Sequence, residues 1–274
     1  MNENLIIDAG MHVGQDTAYY LDKGFDVVAV EANPVLARAA EERFAGAIAA
    51  GRLRVLNVAV AERTGTASLS VSDDATIWSS LDADFVRRNE AFGTRYRTVD
   101  VPAVRFDELL ADVGIPYYLK IDIEGLDMLC VRALHRFDDR PAYVSLESKV
   151  SVGGASYADA FDELAHLWAL GYRRFKYVDQ RRHPEIRLAP PAREGGYVDQ
   201  RFSEDSSGPF GEETPGVWRP FPVAVARGAA LWSQHDLAGF GGRREHSRPA
   251  ATYRRAHTRL TGRALGWYDL HAAL

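Results

Sequence analysis

Short apolar runs alternate with amphipathic stretches along the first 178 residues, and this pattern predicts alternating strands and helices. Residues 5–7, 26–30 and 117–121 are short, mostly apolar runs, typical of parallel strands buried on both faces. Apolar residues at helical spacing mark the stretches between them. We predict helices over 15–23, 35–50, 106–113, 126–134 and 157–170, and further strands over 53–60, 66–71, 142–147, 172–178 and 222–232.

This alternation predicts the fold class. Strand-helix-strand units make right-handed crossovers, so the helices cover both faces of a mostly parallel sheet. We therefore expect an α/β, doubly wound, Rossmann-like fold with hairpin and loop insertions. The strand at 66–71 is expected to be an added hairpin arm. Residues 72–97 are polar and lack a steady period, although they carry Trp78 and Phe92, and we interpret them as a loop or lid.

The second half of the chain changes in composition. Residues 179–221 are rich in Pro, Gly and charge, and residues 242–263 carry seven arginines against one glutamate. We expect one domain over 1–232 that includes the 179–221 insertion. An arginine-rich C-terminal extension over 233–274 is then expected to pack on that domain or to lie at the interface of a homo-oligomer.

Charge and cysteine content narrow the class of protein. The 274 residues carry a net charge of −5, which argues against nucleic-acid binding because phosphate recognition needs a basic excess. Cys130 is the only cysteine, so no disulfide can form within the chain, and a reducing cytoplasm is expected. No apolar run is long enough for a membrane span, and the N-terminus runs directly into a predicted strand, so we expect a soluble protein that is not exported. The expected partner is a small molecule or a carbohydrate.

The turn after the first strand has the composition of a nucleoside site. Gly10 and Gly14 lie between a strand and a helix, where backbone can approach a ligand closely. Glu31 ends the second strand 23 residues after Asp8, the place of an acid that binds a ribose diol. A plain turn and a surface glutamate are the alternatives. A dinucleotide site needs a third glycine so that the pyrophosphate can approach the backbone, whereas residues 11 and 12 are Met and His. S-adenosylmethionine has no phosphate and is therefore favoured.

A second group of charged residues lies at the end of the strand predicted over 117–121. Lys120, Asp122 and Glu124 alternate there and can converge above the sheet edge. The carboxylates of Asp122 and Glu124 could orient the cofactor, attract a sulfonium or take a proton from the acceptor. The alternative is a structural ion pair with Lys120. Glu147 ends the next strand as a cap or a catalyst, and His12 is either a base or a local hydrogen-bonding group.

Histidine spacing does not indicate a metal site. His135, His166, His183 and His271 lack the spacing of zinc ligands. We assign no metal ligand, although carboxylates with one histidine could hold Mg²⁺.

Two blocks of sequence resemble a known family. Residues 7–17 with 28–34 resemble the opening of FkbM-family methyltransferases, and residues 119–125 resemble their second signature. Residues 57–61 and 78–81 are similar to further family segments, so the resemblance covers about 5–178. It implies a class I methyltransferase fold with S-adenosylmethionine as donor. Asp8, Gly10 and Gly14 would surround the methionine part, Glu31 would bind the ribose, Asn33 would border the adenosine and Asp122 would face the reacting centre, with Gln15, Thr17 and Ala59 in the same cofactor-binding set.

The resulting hypothesis is O-methylation of a hydroxyl on a sugar, a glycosylated natural product or a related small metabolite. Asp122 or Glu124 would act as the base, with Glu147 or His12 in reserve, and the loop around Trp78 would close over the acceptor. One alternative is a nicotinamide-dependent oxidoreductase on a similar sheet. The other is a non-catalytic binding module whose arginine-rich tail docks a partner.

Overall fold

The computed structural model describes residues 1–72, 79–90, 93–239 and 247–274. The chain forms two compact units. The first comprises Met1–Val144, Arg187–Arg201 and Pro209–Glu213, and the second comprises Ser145–Ile186, Phe202–Gly208 and Thr214–Leu274. The expected boundary between residues 232 and 233 lies inside a helix that spans Phe221–Ala238.

The first unit contains the parallel sheet. Its elements in chain order are β1 (Asn2–Ala9), α1 (Gln15–Asp22), β2 (Asp26–Val30), α2 (Pro34–Arg43), α3 (Ala45–Ala49), β3 (Leu53–Leu56), β4 (Ala59–Val60), β5 (Gly65–Ser72), α4 (Ala83–Glu90), β6 (Tyr96–Val104), α5 (Phe106–Val113), β7 (Pro116–Ile121) and α6 (Asp127–Ala133).

Strands β7, β1, β2 and β3 lie side by side in that order, and every neighbouring pair is parallel. Ile6, Ile7 and Leu119 are fully buried, as expected of strands covered on both faces. The predicted α/β fold with a mostly parallel central sheet is confirmed. Its functional consequence is that β1, β2 and β7 end at the same edge.

A second, smaller sheet lies in the same unit. Strands β5 and β6 pair antiparallel from Gly65 opposite Ala103 to Ser72 opposite Tyr96, and β4 pairs parallel with β6. Two predictions are wrong here. The strand expected over 53–60 is two strands, one in each sheet, and the stretch 72–97 is no simple loop, because it contains α4 and the start of β6. Trp78 and Phe92 lie outside the described residues.

The second unit begins at Ser145, within a strand that starts in the first unit. The elements of the second unit are β8 (Tyr143–Glu147), α7 (Tyr157–Ala169), β9 (Arg174–Asp179), β10 (Arg219–Pro220), α8 (Phe221–Ala238), α9 (Arg248–Thr261) and β11 (Tyr268–Ala273). Its strands lie in the order β8, β11, β9, β10, and β9 pairs antiparallel with both β10 and β11.

The strand predicted over 222–232 is wrong, because these residues belong to α8. The buried positions of α8 are Ala224, Gly228, Leu231, His235 and Ala238, a spacing of three or four residues that belongs to a helix. Alanine is also the best helix former, and four alanines stand between 224 and 230. The C-terminal extension therefore supplies the end of α8, all of α9 and β11.

Within the described parts of the chain, no helix has both the length and the apolar character needed to cross a bilayer.

Candidate functional site

The turns after β1 and β7 touch each other at the carboxyl edge of the parallel sheet. The amide of Asp122 donates to the carbonyl of Ala9 at 2.9 Å. Gly10 has a φ of 86°, and a Cβ at this position would lie 1.8 Å from the carbonyl oxygen of Asp122. Only glycine permits this approach, so Gly10 is required for the two turns to meet.

The turn after β1 has a left-handed backbone at three positions. Gly14 caps α1 with a φ of 75°, and a Cβ there would lie 2.7 Å from a ring atom of Phe44. His12 has a φ of 52°, which is uncommon outside glycine. The amides of Gly10 and Met11 both donate to the carbonyl of Val30, at 2.9 and 3.0 Å. The turn is therefore fixed against the end of β2.

Glu31 joins that turn to the start of α2. Its two carboxylate oxygens accept the amides of His12 and Asn33, each at 2.8 Å. Burial raises the pKa of Glu31 to about 7, against the opposing effect of these two hydrogen bonds. Asn33 caps α2 by accepting the amide of Val35 at 3.0 Å. Each carboxylate oxygen has a further lone pair, so Glu31 can still accept hydrogen bonds from a ligand.

A buried ion pair lies beneath the turn. Lys120 Nζ is 3.1 Å from Asp8 Oδ1 and donates to the carbonyl of Gly10 at 2.6 Å, and Thr17 Oγ1 donates to Asp8 Oδ2 at 2.6 Å. Burial would lower the pKa of Lys120, but Asp8, Asp122 and Asp16 together raise it above its usual value. Lys120 is therefore cationic, and Asp8 and Thr17, both fully buried, support the turn from below.

Replacing Lys120 with Met should lower the free energy of unfolding by about 3–5 kcal/mol, because it leaves the Asp8 carboxylate buried and uncompensated. Urea unfolding at neutral pH measures this. The matched control is Arg54→Met, which removes an exposed ion pair with Asp112 and should cost less than about 1 kcal/mol. Equal losses in the two variants would contradict the structural importance of the buried pair.

The turn after β7 carries the second group of predicted residues. Asp122 is partly exposed, with 40% of its side chain accessible, and its Oδ2 lies 3.6 Å from Lys120 Nζ. Glu124 has a left-handed φ of 52°. The amide of Ile123 donates to Asp127 Oδ1 at 3.0 Å, and Ser80 Oγ donates to the carbonyl of Glu124 at 2.6 Å. Two side chains outside the turn thus fix its backbone.

The other predicted residues lie at varied places. Gln15 begins α1 and is half-buried, and Ala59 is buried in β4. Glu147 ends β8 in the second unit and is half-buried, and the hydroxyl of Ser148 that follows it donates to Glu163 at 2.8 Å. The catalytic roles of Glu147 and His12 stay predictions.

Three residues that were not among the predicted site residues hold this site together. Asn57 donates to the carbonyls of Glu31 and Ala32, at 2.9 and 3.2 Å. Asp127 and Ser80 fix the turn after β7. Asn57 and Ser80 both lie in segments that resemble the FkbM family, residues 57–61 and 78–81, and this resemblance is the sequence signal for them.

Metal ligands do not cluster in the described ranges, where no group of three or more His, Cys, Asp or Glu side chains could hold an ion.

Comparison with known proteins identifies the family to which the chain belongs. Residues 8–174 match the Methyltransferase FkbM domain. Comparison with curated proteins finds no match.

Distant similarity to solved structures is also found. An FkbM methyltransferase from Methylobacillus flagellatus KT is 16% identical with a TM-score of 0.42, over 65% of this chain and 40% of that one. A S-adenosylmethionine-dependent methyltransferase from Thiobacillus denitrificans, in complex with S-adenosyl-L-homocysteine, is 11% identical with a TM-score of 0.35, over 99% and 86% of the two chains. The match thus spans less than half the length of the Methylobacillus chain.

Proposed function

The chain belongs to the FkbM methyltransferase family, and we propose that it uses S-adenosylmethionine as the donor to methylate a hydroxyl oxygen of a sugar, a glycosylated natural product or a related small metabolite. This assignment takes the place of the nicotinamide-dependent alternative. The observation that carries the proposal is the anchoring of Glu31, whose carboxylate accepts the amides of His12 and Asn33 beside the glycine turn.

The donor fits the carboxyl edge of β1, β2 and β7. Gly10 and Gly14 present backbone without side chains, and Glu31 retains acceptor capacity for the two ribose hydroxyls. Asn33, Gln15 and Ala59 complete the proposed binding set, while Asp8 and Thr17 support it. When bound, the donor supplies a methyl carbon on a positively charged sulfur, which leaves as a neutral thioether. The partly exposed carboxylate of Asp122 would attract that positive charge.

Glu124 is the proposed base. A hydroxyl is a poor nucleophile, so a carboxylate must accept its proton as the new carbon–oxygen bond forms. Glu124 has a left-handed backbone, its carbonyl accepts a hydrogen bond from Ser80 outside the turn, and such conformations cluster at active sites. Asp122, by contrast, lies near the cationic Lys120. We therefore assign Asp122 to binding of the donor and Glu124 to removal of the proton from the acceptor hydroxyl.

The acceptor class is tested by product mass. The protein is incubated with S-adenosylmethionine and a panel of methyl glycosides, glycosylated polyketides and free sugars, and products are analysed by mass spectrometry. The proposal expects a gain of one methyl group in place of a hydroxyl hydrogen on at least one glycoside. Methylation confined to amines or thiols in a parallel panel would contradict O-methylation while leaving the family assignment intact.

Donor affinity should depend on pH through Glu31. Ribose hydroxyls donate best to the carboxylate, so binding favours the ionised form of a group whose pKa is about 7. The dissociation constant of S-adenosylhomocysteine should be about tenfold higher at pH 6 than at pH 8. Calorimetry with the Glu31→Gln variant is the control. The affinity of this variant should be lower and nearly independent of pH over this range. An equal pH dependence in both proteins would exclude Glu31 as the group that controls donor binding.

The same shift affects the unliganded protein with a defined sign. The pKa of Glu31 is raised from 4.5 to about 7, so the folded state binds the proton more tightly than the unfolded chain. The stability that this proton contributes is present below pH 4.5 and is lost as the pH rises through 7. The loss amounts to about 3 kcal/mol at most, because one pKa unit corresponds to about 1.4 kcal/mol.

A further inference from the structure

Ser80 connects the small sheet to the turn that carries Glu124. The backbone of Ser80 pairs with that of Ser70 on β5 through two hydrogen bonds of 3.0 Å. Its side chain is buried, and Oγ donates to the carbonyl of Glu124 at 2.6 Å while it accepts the amide of Asp82 at 2.9 Å. The hydroxyl therefore uses both its donor and an acceptor position to join two chain segments.

The peptide group that Ser80 holds lies between two residues of unusual backbone conformation. Glu124 has a φ of 52° and Gly125 a φ of 106°. A Cβ on Gly125 would lie 2.8 Å from Asp82 Oδ2, so the segment after Ser80 packs tightly against this turn. A left-handed non-glycine residue persists only when its surroundings hold it. The hydrogen bond to the Glu124 carbonyl resists rotation of the Glu124–Gly125 peptide group and supplies part of that support.

We propose that Ser80 is a positioning residue for methyl transfer, a role that rests on the proposed function of Glu124 as the base. By fixing the Glu124–Gly125 peptide group, the Ser80 hydroxyl keeps the Glu124 carboxylate in the orientation needed to receive the acceptor proton. Proton transfer requires correct geometry, and small displacements of a catalytic group cost much of the rate. S-adenosylhomocysteine carries no positive charge at sulfur for Asp122 to attract, so its binding depends on the turn after β1 and on Glu31 and does not require this hydroxyl.

The test compares Ser80→Ala, Ser80→Gly and Ser80→Thr with the wild type. The first two variants remove the hydroxyl without adding volume, whereas Ser80→Thr keeps a hydroxyl at this position. The control is Ser68→Ala, which removes an exposed hydroxyl on β5 that donates to Asp100. Three quantities are measured in the full chain: the dissociation constant of S-adenosylhomocysteine, kcat and KM on the glycoside that the wild type methylates, and amide hydrogen exchange of a peptide covering residues 122–127.

Ser80→Ala and Ser80→Gly should lower kcat by about 10- to 100-fold and leave the S-adenosylhomocysteine affinity within about twofold of the wild type, as a group that acts only on the transition state requires. Exchange in 122–127 should accelerate by about two- to tenfold, the worth of one hydrogen bond. Ser80→Thr should recover most of kcat, and Ser68→Ala should match the wild type throughout.

Two results would overturn the role of Ser80. One is unchanged kcat and exchange in Ser80→Ala with intact S-adenosylhomocysteine binding. The other is a parallel loss of kcat and S-adenosylhomocysteine affinity that Ser80→Thr does not recover, since that is the mark of a merely structural contact. Failure of the wild type itself to bind S-adenosylhomocysteine would instead overturn the proposed function, and the catalytic part of this inference with it.

Discussion

Glu124→Gln should lower kcat by about 10²- to 10⁴-fold, the usual contribution of a general base, and should leave donor affinity unchanged. The amide has nearly the same shape as the carboxylate but cannot take up the acceptor proton. The backbone of the turn should persist, because Ser80 and Asp127 bond to main-chain atoms of Glu124 and Ile123. Steady-state kinetics with the identified acceptor, together with calorimetry of S-adenosylhomocysteine, measure the two quantities separately.

The matched control is Asp122→Asn in the same turn. If Asp122 attracts the sulfonium, this variant should weaken S-adenosylmethionine binding more than S-adenosylhomocysteine binding, because the second compound is uncharged at sulfur. Full turnover in Glu124→Gln would remove Glu124 from the role of base. A large kcat loss in Asp122→Asn alone would then transfer that role to Asp122.

Gly10→Ala should lower the free energy of unfolding by about 2–5 kcal/mol and abolish measurable donor binding. The new methyl group would lie 1.8 Å from the carbonyl oxygen of Asp122, which belongs to the backbone. The turns after β1 and β7 would therefore have to separate, and Ala would also be strained at a φ of 86°. Urea unfolding and calorimetry of S-adenosylhomocysteine test the two effects.

Gly24→Ala separates backbone strain from collision. Gly24 has a φ of 100°, but a Cβ there would meet nothing within 4 Å. This control should therefore lose only about 1–2 kcal/mol, the cost of the left-handed region, and should bind S-adenosylhomocysteine normally. A Gly10→Ala protein as stable as Gly24→Ala would show that the two turns do not meet as closely as the structure has them.

The parallel sheet and the turn beside it could be predicted because their signals are local. The runs of β1, β2 and β7 are mostly apolar and end in charged or glycine-rich turns, so the sequence identifies both the strands and their edge. Pro34 at the start of α2 is likewise a local signal, because proline is favoured at the first position of a helix. Gly10, Gly14 and Glu31 lie within a few residues of the ends of β1 and β2, so the same local signals identify the candidate site.

What the sequence did not reveal depends on contacts between distant residues. Strand β6 has exposed positions along much of its length and is defined by pairing with β5, so its own pattern is weak. The bond from Ser80 to Glu124 joins residues 44 positions apart. The strand predicted at 222–232 failed for another reason, because an apolar run of this length fits either a strand or a buried helix.

The central claim is that the carboxyl edge of β1, β2 and β7 binds the methyl donor, and a crystal structure of the protein with S-adenosylhomocysteine tests it most directly. The expected result is density for the ligand against Gly10 and Gly14, with both ribose hydroxyls within hydrogen-bonding distance of Glu31. Density at another place on a protein saturated with the ligand, with Glu31 still bonded only to the amides of His12 and Asn33, would contradict it.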